Sequence, residues 1–166
     1  MSFQIIKPDS SEQRTINPIA IFLAGSIEMG SATDWQEKVQ KELSGLDVTV
    51  YNPRRNDWDA SWKQGQFEEP FRTQVLWELG HLNASDIVFF YFDPNTKSPI
   101  SLLELGMQAG VNQTTIVVCP DGFYRKGNVD IVCEMYNIPV AKTLEEGITL
   151  LTEKINHFYY LLHERN

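Results

Sequence analysis

Cysteine is scarce in this chain of 166 residues, which contains only Cys119 and Cys133. Their spacing matches neither a CxxC motif nor a set of metal ligands, and small secreted domains normally carry more cysteines. The three histidines, His81, His157 and His163, are scattered and lack an HExxH context. We therefore expect reduced structural thiols, no metal site and no cofactor.

Basic residues and long hydrophobic runs are also in short supply. The chain has 14 Lys and Arg against 22 Asp and Glu, a formal charge of −8. Polymeric nucleic acid is therefore a poor partner, because its recognition needs a basic surface. The apolar stretch from residue 19 to 25 is far shorter than the roughly 20 residues that span a membrane, and no signal-peptide pattern precedes it. We expect a soluble, cytoplasmic protein without a membrane partner.

Several familiar motifs of α/β enzymes are missing. Gly25-Ser26 follows an apolar run but belongs to neither GxGxxG nor GxxxxGK[ST], and no GxSxG segment is present. These absences disfavour a Rossmann dehydrogenase, a P-loop NTPase and a Ser-His-Asp hydrolase.

What the chain does have is a regular alternation of strand and helix patterns. With 42% hydrophobic and 11% aromatic residues it can bury a core, and its length suits one domain, residues 1–166, with residues 1–17 as an N-terminal extension. The alternation predicts βαβ units and a flavodoxin-like three-layer α/β sandwich with a five-stranded, mainly parallel sheet. Strands are expected at 19–23, 47–51, 87–92, 114–118 and 138–140; helices are expected from a cap at Thr33 or Asp34 to Gly45, and at 67–82, 98–111, 129–136 and 144–162.

Ligands of such folds bind outside the carboxyl ends of the strands, where the strand order reverses. This rule selects three segments, residues 25–26, 52–59 and 93–104. Trp58 and Trp62 would by default pack as core or lid aromatics, but near the ligand edge they could stack on a planar ring.

Two acidic residues stand out near that edge. Glu104 lies one turn into the helix after the central strand, and Glu78 lies in the preceding helix. Each would by default be a solvated helical residue, and the helix dipole favours a Glu in an early turn. Leucines flank Glu104, however, and a charge in apolar company is usually kept for a purpose. Two carboxylates and a polar loop suit substitution at a sugar anomeric carbon.

Three segments carry a family resemblance over residues 19–140. Residues 22–27 (FLAGSI), 84–86 (ASD) and 98–106, ending in Glu104-Leu105-Gly106, together resemble the nucleoside 2-deoxyribosyltransferase family and its nucleotide N-glycosidase relatives. The resemblance implies that Glu104 is the nucleophile, which forms a covalent glycosyl intermediate. It also maps the family's second acidic residue, usually Asp, onto Glu78.

The resemblance implies further roles around the sugar. Ser98 occupies the position where the transferases have an Asp and the nucleotide hydrolases have a Ser for the 5′-phosphate. Ser26 is similar to the hydrolases' phosphate-loop serine, whereas Glu28 stands where they have an Arg. Asn128 is the best match for an Asn that reaches the sugar from a neighbouring subunit, which implies a homo-oligomer. The substrate-binding set expected in this chain is Gly25, Ser26, Asn52, Arg54, Asp59, Trp62, Asp93, Ser98 and Asn128.

Three functions stay open at this point. The first is transfer of deoxyribose from a 2′-deoxynucleoside to another nucleobase. The second is hydrolysis of a nucleoside 5′-monophosphate, with Ser26, Ser98 and Arg54 or Arg55 holding the phosphate. The third is a nucleotide sensor without catalysis, because a fold never determines an activity.

Overall fold

The computed structural model describes residues 2–11, 17–27, 33–55, 57, 59, 61–111 and 114–164. Its centre is a six-stranded sheet in the order β1-β3-β2-β4-β5-β6, in which every neighbouring pair is parallel. The strands are β1 (Gln4–Ile6), β2 (Ile19–Gly25), β3 (Val48–Tyr51), β4 (Ile87–Tyr91), β5 (Thr114–Val118) and β6 (Val140–Ala141); the helices are α1 (Trp35–Leu43), α2 (Phe71–Ala84), α3 (Pro99–Ala109), α4 (Lys126–Met135) and α5 (Leu144–His163).

Helices cover both faces of the sheet. Alternate side chains of β4 point to opposite faces, so that Phe89 joins a core with α1 and α5, whereas Phe90 joins a core with α2, α3 and α4. Strands buried on both faces require continuous apolar runs, which is why β2 and β4 could be recognised from sequence. The predicted three-layer α/β sandwich is confirmed. No helix in the described part of the chain is long and apolar enough to cross a membrane.

The prediction of five strands was wrong, because the N-terminal extension contributes β1. Gln4 pairs with Thr49 and Ile6 with Tyr51 in parallel register, and Ile6 is buried. Three residues are too few for a recognisable periodicity, so this strand depends on its pairing with β3.

Several helix ends also differ from prediction. The second helix begins at Phe71 rather than at residue 67, because Pro70 stands at its N-cap and the ring of proline is not tolerated in a helix interior. The fourth helix begins at Lys126, three residues earlier than expected. Asp34, one of the two predicted caps, accepts a hydrogen bond from the Glu37 amide, and α1 ends at Leu43 instead of reaching Gly45.

The strand order reverses between β2 and β4, whose carboxyl ends lie side by side. Gly25 pairs with Tyr91, and the Ser26 amide donates a hydrogen bond to the Tyr91 carbonyl at 2.9 Å. Gly25 has a φ of +139°, and a Cβ atom there would lie only 2.2 Å from the Tyr91 carbonyl oxygen. Glycine is therefore required at this switch point, where such folds bind their ligands.

Candidate active site

Glu104 is a buried carboxyl on α3, with only 7% of its surface exposed. Its pKa is raised to about 8, mainly by burial and secondly by the nearby charge of Glu78. The two acidic residues singled out from sequence are therefore brought into electrostatic contact, although they come from different helices. Glu104 is not the solvated helical residue that its position would suggest by default.

Glu78 is half-buried on α2 and has a specific hydrogen-bond donor. The side-chain amide of Gln74 donates from Nε2 to Glu78 Oε1 at 2.6 Å, one turn earlier on the same helix. Burial raises the pKa of Glu78, and the hydrogen bond from Gln74 opposes that increase because it favours the ionised form.

Three buried hydroxyl groups meet at the switch point. Ser26 Oγ lies 2.7 Å from Thr96 Oγ1 and 2.6 Å from Ser98 Oγ, and the last two are 2.9 Å apart. Ser26 Oγ also accepts a hydrogen bond from the Asp93 amide at 2.8 Å. We call Ser26, Thr96 and Ser98 the hydroxyl cluster.

Ser98 contributes to this cluster through an unusual backbone conformation. It has a φ of +46° at the N-cap position of α3, immediately before Pro99, and its side chain makes no capping hydrogen bond. Its hydroxyl is directed to Ser26 and Thr96 instead. A left-handed non-glycine residue costs free energy, and such residues tend to occur at binding sites.

Asn52 and Asp93, both predicted to bind substrate, have buried side chains that shape the strand ends. The side-chain oxygen Oδ1 of Asn52 accepts from the backbone amide of Arg54 at 2.9 Å. The backbone amide of Asn52 donates to the carbonyl of Ile6 in β1. Asp93 Oδ1 accepts from both nitrogen atoms of Asn95, at 2.8 and 3.1 Å. These bonds stabilise the turns that carry the site.

The two arginines of the loop after β3 point to different partners. Arg54 Nε lies 3.6 Å from Asp34, at the start of α1. Arg55 donates to both carboxylate oxygens of Asp57, at 2.8 and 2.9 Å, and to Gln74 Oε1 at 3.3 Å. Its guanidinium also lies 5.1 Å from the ring centre of Trp62. Arg55, and not Arg54, therefore connects this loop to α2.

Two other predicted site residues, Asp59 and Asn128, are exposed. Asp59 accepts a hydrogen bond from the Ser61 amide at 2.8 Å. Hydrogen bonding from the Ser61 side chain, and secondly from this amide, lowers the pKa of Asp59. Asn128 is exposed in the first turn of α4. Glu28 and Trp58 lie outside the described residues.

Sequence reasoning missed Gln74 and Thr96. A signal existed for each: Gln74 precedes Glu78 by one helical turn, and Thr96 is a hydroxyl residue two positions before Ser98. Neither signal specifies burial, which depends on how α2 and the loop before α3 approach the sheet.

The described residues contain no group of three His, Cys, Asp or Glu side chains placed to hold a metal ion. They do line a cleft of about 420 Å³ between the N-termini of α1 and α5, whose lining includes neither Glu78 nor Glu104. The polar groups described so far are two interacting carboxyls and, at the strand ends, the hydroxyl cluster. Two interacting carboxyls can hold one proton between them, which leaves one as a nucleophile and one as an acid.

Comparison with known proteins identifies a family and a fold. A family model described as "nucleoside 2-deoxyribosyltransferase like" matches residues 18–123, a span that includes Glu78, Glu104 and the hydroxyl cluster. A solved structure of a conserved protein from Enterococcus faecalis V583 is similar in fold, with a TM-score of 0.60 and 14% identity over 82% of this chain and 98% of that chain. No curated protein matches the chain.

Proposed function

Because the chain belongs to the nucleoside 2-deoxyribosyltransferase-like family, we propose that it cleaves the N-glycosidic bond of 2′-deoxynucleosides and transfers the deoxyribosyl group to another nucleobase. The observation that carries this proposal is the buried carboxyl of Glu104, electrostatically coupled to Glu78 at the strand ends. Enzymes that substitute at an anomeric carbon with net retention use two carboxyl groups, one of them as the nucleophile.

The proposed reaction has two displacements at C1′. The Glu104 carboxylate attacks C1′, the bond from C1′ to the base nitrogen breaks, and the electron pair leaves with the base. A nitrogen of the incoming base then attacks C1′ from the opposite side and releases Glu104. Because each displacement inverts the configuration, the product retains it.

The proton balance assigns a role to Glu78. A pKa of about 8 keeps a proton on Glu104 near neutrality, yet only the ionised carboxylate can attack. We propose that Glu78 takes this proton when the substrate binds and delivers it to the departing base. The ionised Glu78 then takes the N–H proton that the incoming base loses when its nitrogen attacks C1′. A base that leaves protonated is a better leaving group than its anion, so the pair supplies both nucleophile and acid.

Hydrolysis of nucleoside 5′-monophosphates is the second candidate, and the hydroxyl cluster favours it. Three hydroxyls and the adjoining backbone amide of Asp93 are grouped at the switch point, where phosphates bind in many α/β folds. In this reaction water takes the place of the second base, and Ser26 and Ser98 hold the phosphate.

We also propose a homo-oligomer, which agrees with an exposed apolar surface on the layer that contains Glu104. Ile100, Leu103 and Met107 are exposed along α3, and Ile131 and Met135 along the neighbouring α4. Exposed apolar residues grouped in this way are typical of interaction surfaces. A second copy bound here would also bring its own α4, with Asn128, close to the site layer.

Product analysis of the purified protein tests the reaction. The protein is incubated with 2′-deoxynucleosides, with and without an acceptor base, and with the matching 5′-monophosphates, and the products are separated by chromatography. We expect base exchange that depends on the acceptor, and a loss of at least about a thousandfold in Glu104→Gln. Glu42→Gln, at an exposed glutamate of α1 in the other layer, is the matched control and should keep the parent rate.

The other outcomes are equally distinct. Release of free base from monophosphates alone would replace transfer by hydrolysis. Tight nucleotide binding without any base release would contradict both enzymatic functions and favour a sensor.

A further inference from the structure

The side-chain amide of Gln74 is a buried link between Glu78 and the loop after β3. Its Nε2 donates to Glu78 at 2.6 Å and to the Pro53 carbonyl at 3.3 Å, so that both of its hydrogens have acceptors. Its Oε1 accepts from Arg55 at 3.3 Å. Gln74 itself is only 3% exposed.

These contacts permit only one orientation of the amide. If the amide were turned by 180°, its NH₂ group would face the guanidinium of Arg55, which has donors alone. Its oxygen would then face the Pro53 carbonyl and the Glu78 carboxylate, which are acceptors. Because an unsatisfied buried polar group is costly, the network imposes the observed orientation.

Arg55 is in turn held by its own partners. Two of its nitrogens bind the two carboxylate oxygens of Asp57, and its planar group packs over the Trp62 ring. A bidentate pair restricts the rotation of a guanidinium more than a single contact would. The remaining nitrogen is thereby directed at Gln74.

We propose that Gln74 is the positioning residue of the acidic pair, and that Arg55 and Asp57 orient Gln74, so that the loop after β3 controls the direction and the ionisation of the Glu78 carboxyl. The proposal rests on the proposed function for its catalytic consequence. Its structural content, the dependence of Glu78 on Gln74, is independent of that function.

Charged or titratable side chains of the described residues lie near Glu78. Glu104 faces it from α3, Arg55 reaches it through Gln74, and His81 lies one turn further on α2, where its ring packs against Tyr51 and Trp77. Gln74 is the residue whose hydrogen bond opposes the effect of burial on Glu78. Without it, we expect the proton of the pair to move from Glu104 to Glu78, and a neutral Glu78 would no longer raise the pKa of Glu104.

Two substitutions separate positioning from packing. Gln74→Leu removes both donors, whereas Gln74→Glu keeps the shape and the contact with Arg55 but offers no N–H group to Glu78. Because the Glu78 carboxyl is no longer held in one direction, we expect kcat to fall about 10- to 100-fold in both variants, with KM changed less than about threefold and a displaced pH profile. A packing role alone would lower the stability of both variants without displacing the pH profile. Gln40→Leu is the matched control, because Gln40 lies midway along α1, on the other face of the sheet. This variant should keep the kcat, KM and pH profile of the parent.

Arg55→Ala tests the contact between Arg55 and Gln74. We expect a smaller fall in kcat than for Gln74→Leu, and the double variant should be no worse than Gln74→Leu alone, because both residues act through the same amide. Additive losses would mean that Arg55 acts separately, and would overturn the proposed link from the loop.

A carbon-13 NMR titration of the glutamate carboxyls gives a readout that needs no turnover. Resonances are assigned with Glu78→Gln and Glu104→Gln, and we expect Gln74→Leu to raise the pKa of Glu78 and lower that of Glu104. Unchanged titrations, or Gln74 variants that exchange bases at the parent kcat and pH profile, would overturn the positioning role and leave the proposed function standing. Altered titrations in a protein that releases no base would support positioning and contradict the proposed function.

Discussion

A buried carboxyl has little water to stabilise its charge when it ionises. This cost raises the pKa of Glu104 to about 8. Its ordinary value, which applies to the unfolded chain, is 4.5. Between these two values the folded protein retains a proton that the unfolded chain releases. The contribution of Glu104 to stability is therefore complete below about pH 4.5 and is lost as the pH rises through about 8. Glu78, whose pKa is also raised by burial, acts in the same direction.

The first prediction at this scale concerns stability against pH. We expect the free energy of unfolding of the parent protein to fall by a few kcal/mol between about pH 5 and pH 9 through this group, and expect Glu104→Gln to remove most of that fall. Urea unfolding at several pH values measures both proteins. A parent and variant with parallel pH dependence would contradict the assignment of the buried proton to Glu104.

At the scale of elements, the site depends on how closely β2 and β4 approach at their carboxyl ends. Gly25 permits the Ser26 amide to reach Tyr91, and the Ser26 hydroxyl then meets the segment that leads into α3. The end of β2 is thus hydrogen-bonded, through Ser26, to Ser98 at the start of α3, the helix that carries Glu104.

Substitution of Gly25 tests this dependence. We expect Gly25→Ala to destabilise the fold by about 3 kcal/mol or more, because the new Cβ would overlap the Tyr91 carbonyl and the residue would keep a positive φ. Gly80→Ala is the control: no atom lies within 4 Å of a Cβ at this position in α2, and alanine there should stabilise by up to about 1 kcal/mol. Thermal unfolding of both variants measures the difference. Equal stability of Gly25→Ala and the parent would contradict the close approach.

For the whole molecule, the two helical layers differ in character. The layer of α2, α3 and α4 carries both acidic residues together with the exposed apolar residues of α3 and α4. The layer of α1 and α5 covers the other core and has its own exposed apolar residues only near the end of α5. The proposed subunit interface and the candidate site therefore share one layer.

The association state follows from this asymmetry. We expect Leu103→Glu, in the middle of the exposed α3 stripe, to convert the homo-oligomer to a monomer, because an unpaired charge would be buried in the interface. Leu161→Glu on α5 should leave the assembly intact. Light scattering coupled to size exclusion measures the mass of each variant. A parent protein that is monomeric at every concentration would contradict the interface.

The sequence by itself determined most of the architecture. Continuous apolar runs specify doubly covered parallel strands, and the alternation of strand and helix patterns specifies the layers, so the fold class and five strands were predictable. Glu104 stood out because a charge among leucines conflicts with the local pattern. The fold predictions succeeded because burial and periodicity are recorded in consecutive residues, whereas the role of Glu104 stays a prediction.

Only the tertiary structure decided which polar groups meet. The pairing of β1 with β3, the choice of Arg55 over Arg54, and the contacts of Gln74 with Pro53 and Arg55 all depend on residues that are distant in the chain or on adjacent ones that point apart. A local pattern shows that a side chain is polar but not which neighbour satisfies it. That neighbour is selected when folding removes water and each buried donor must find an acceptor.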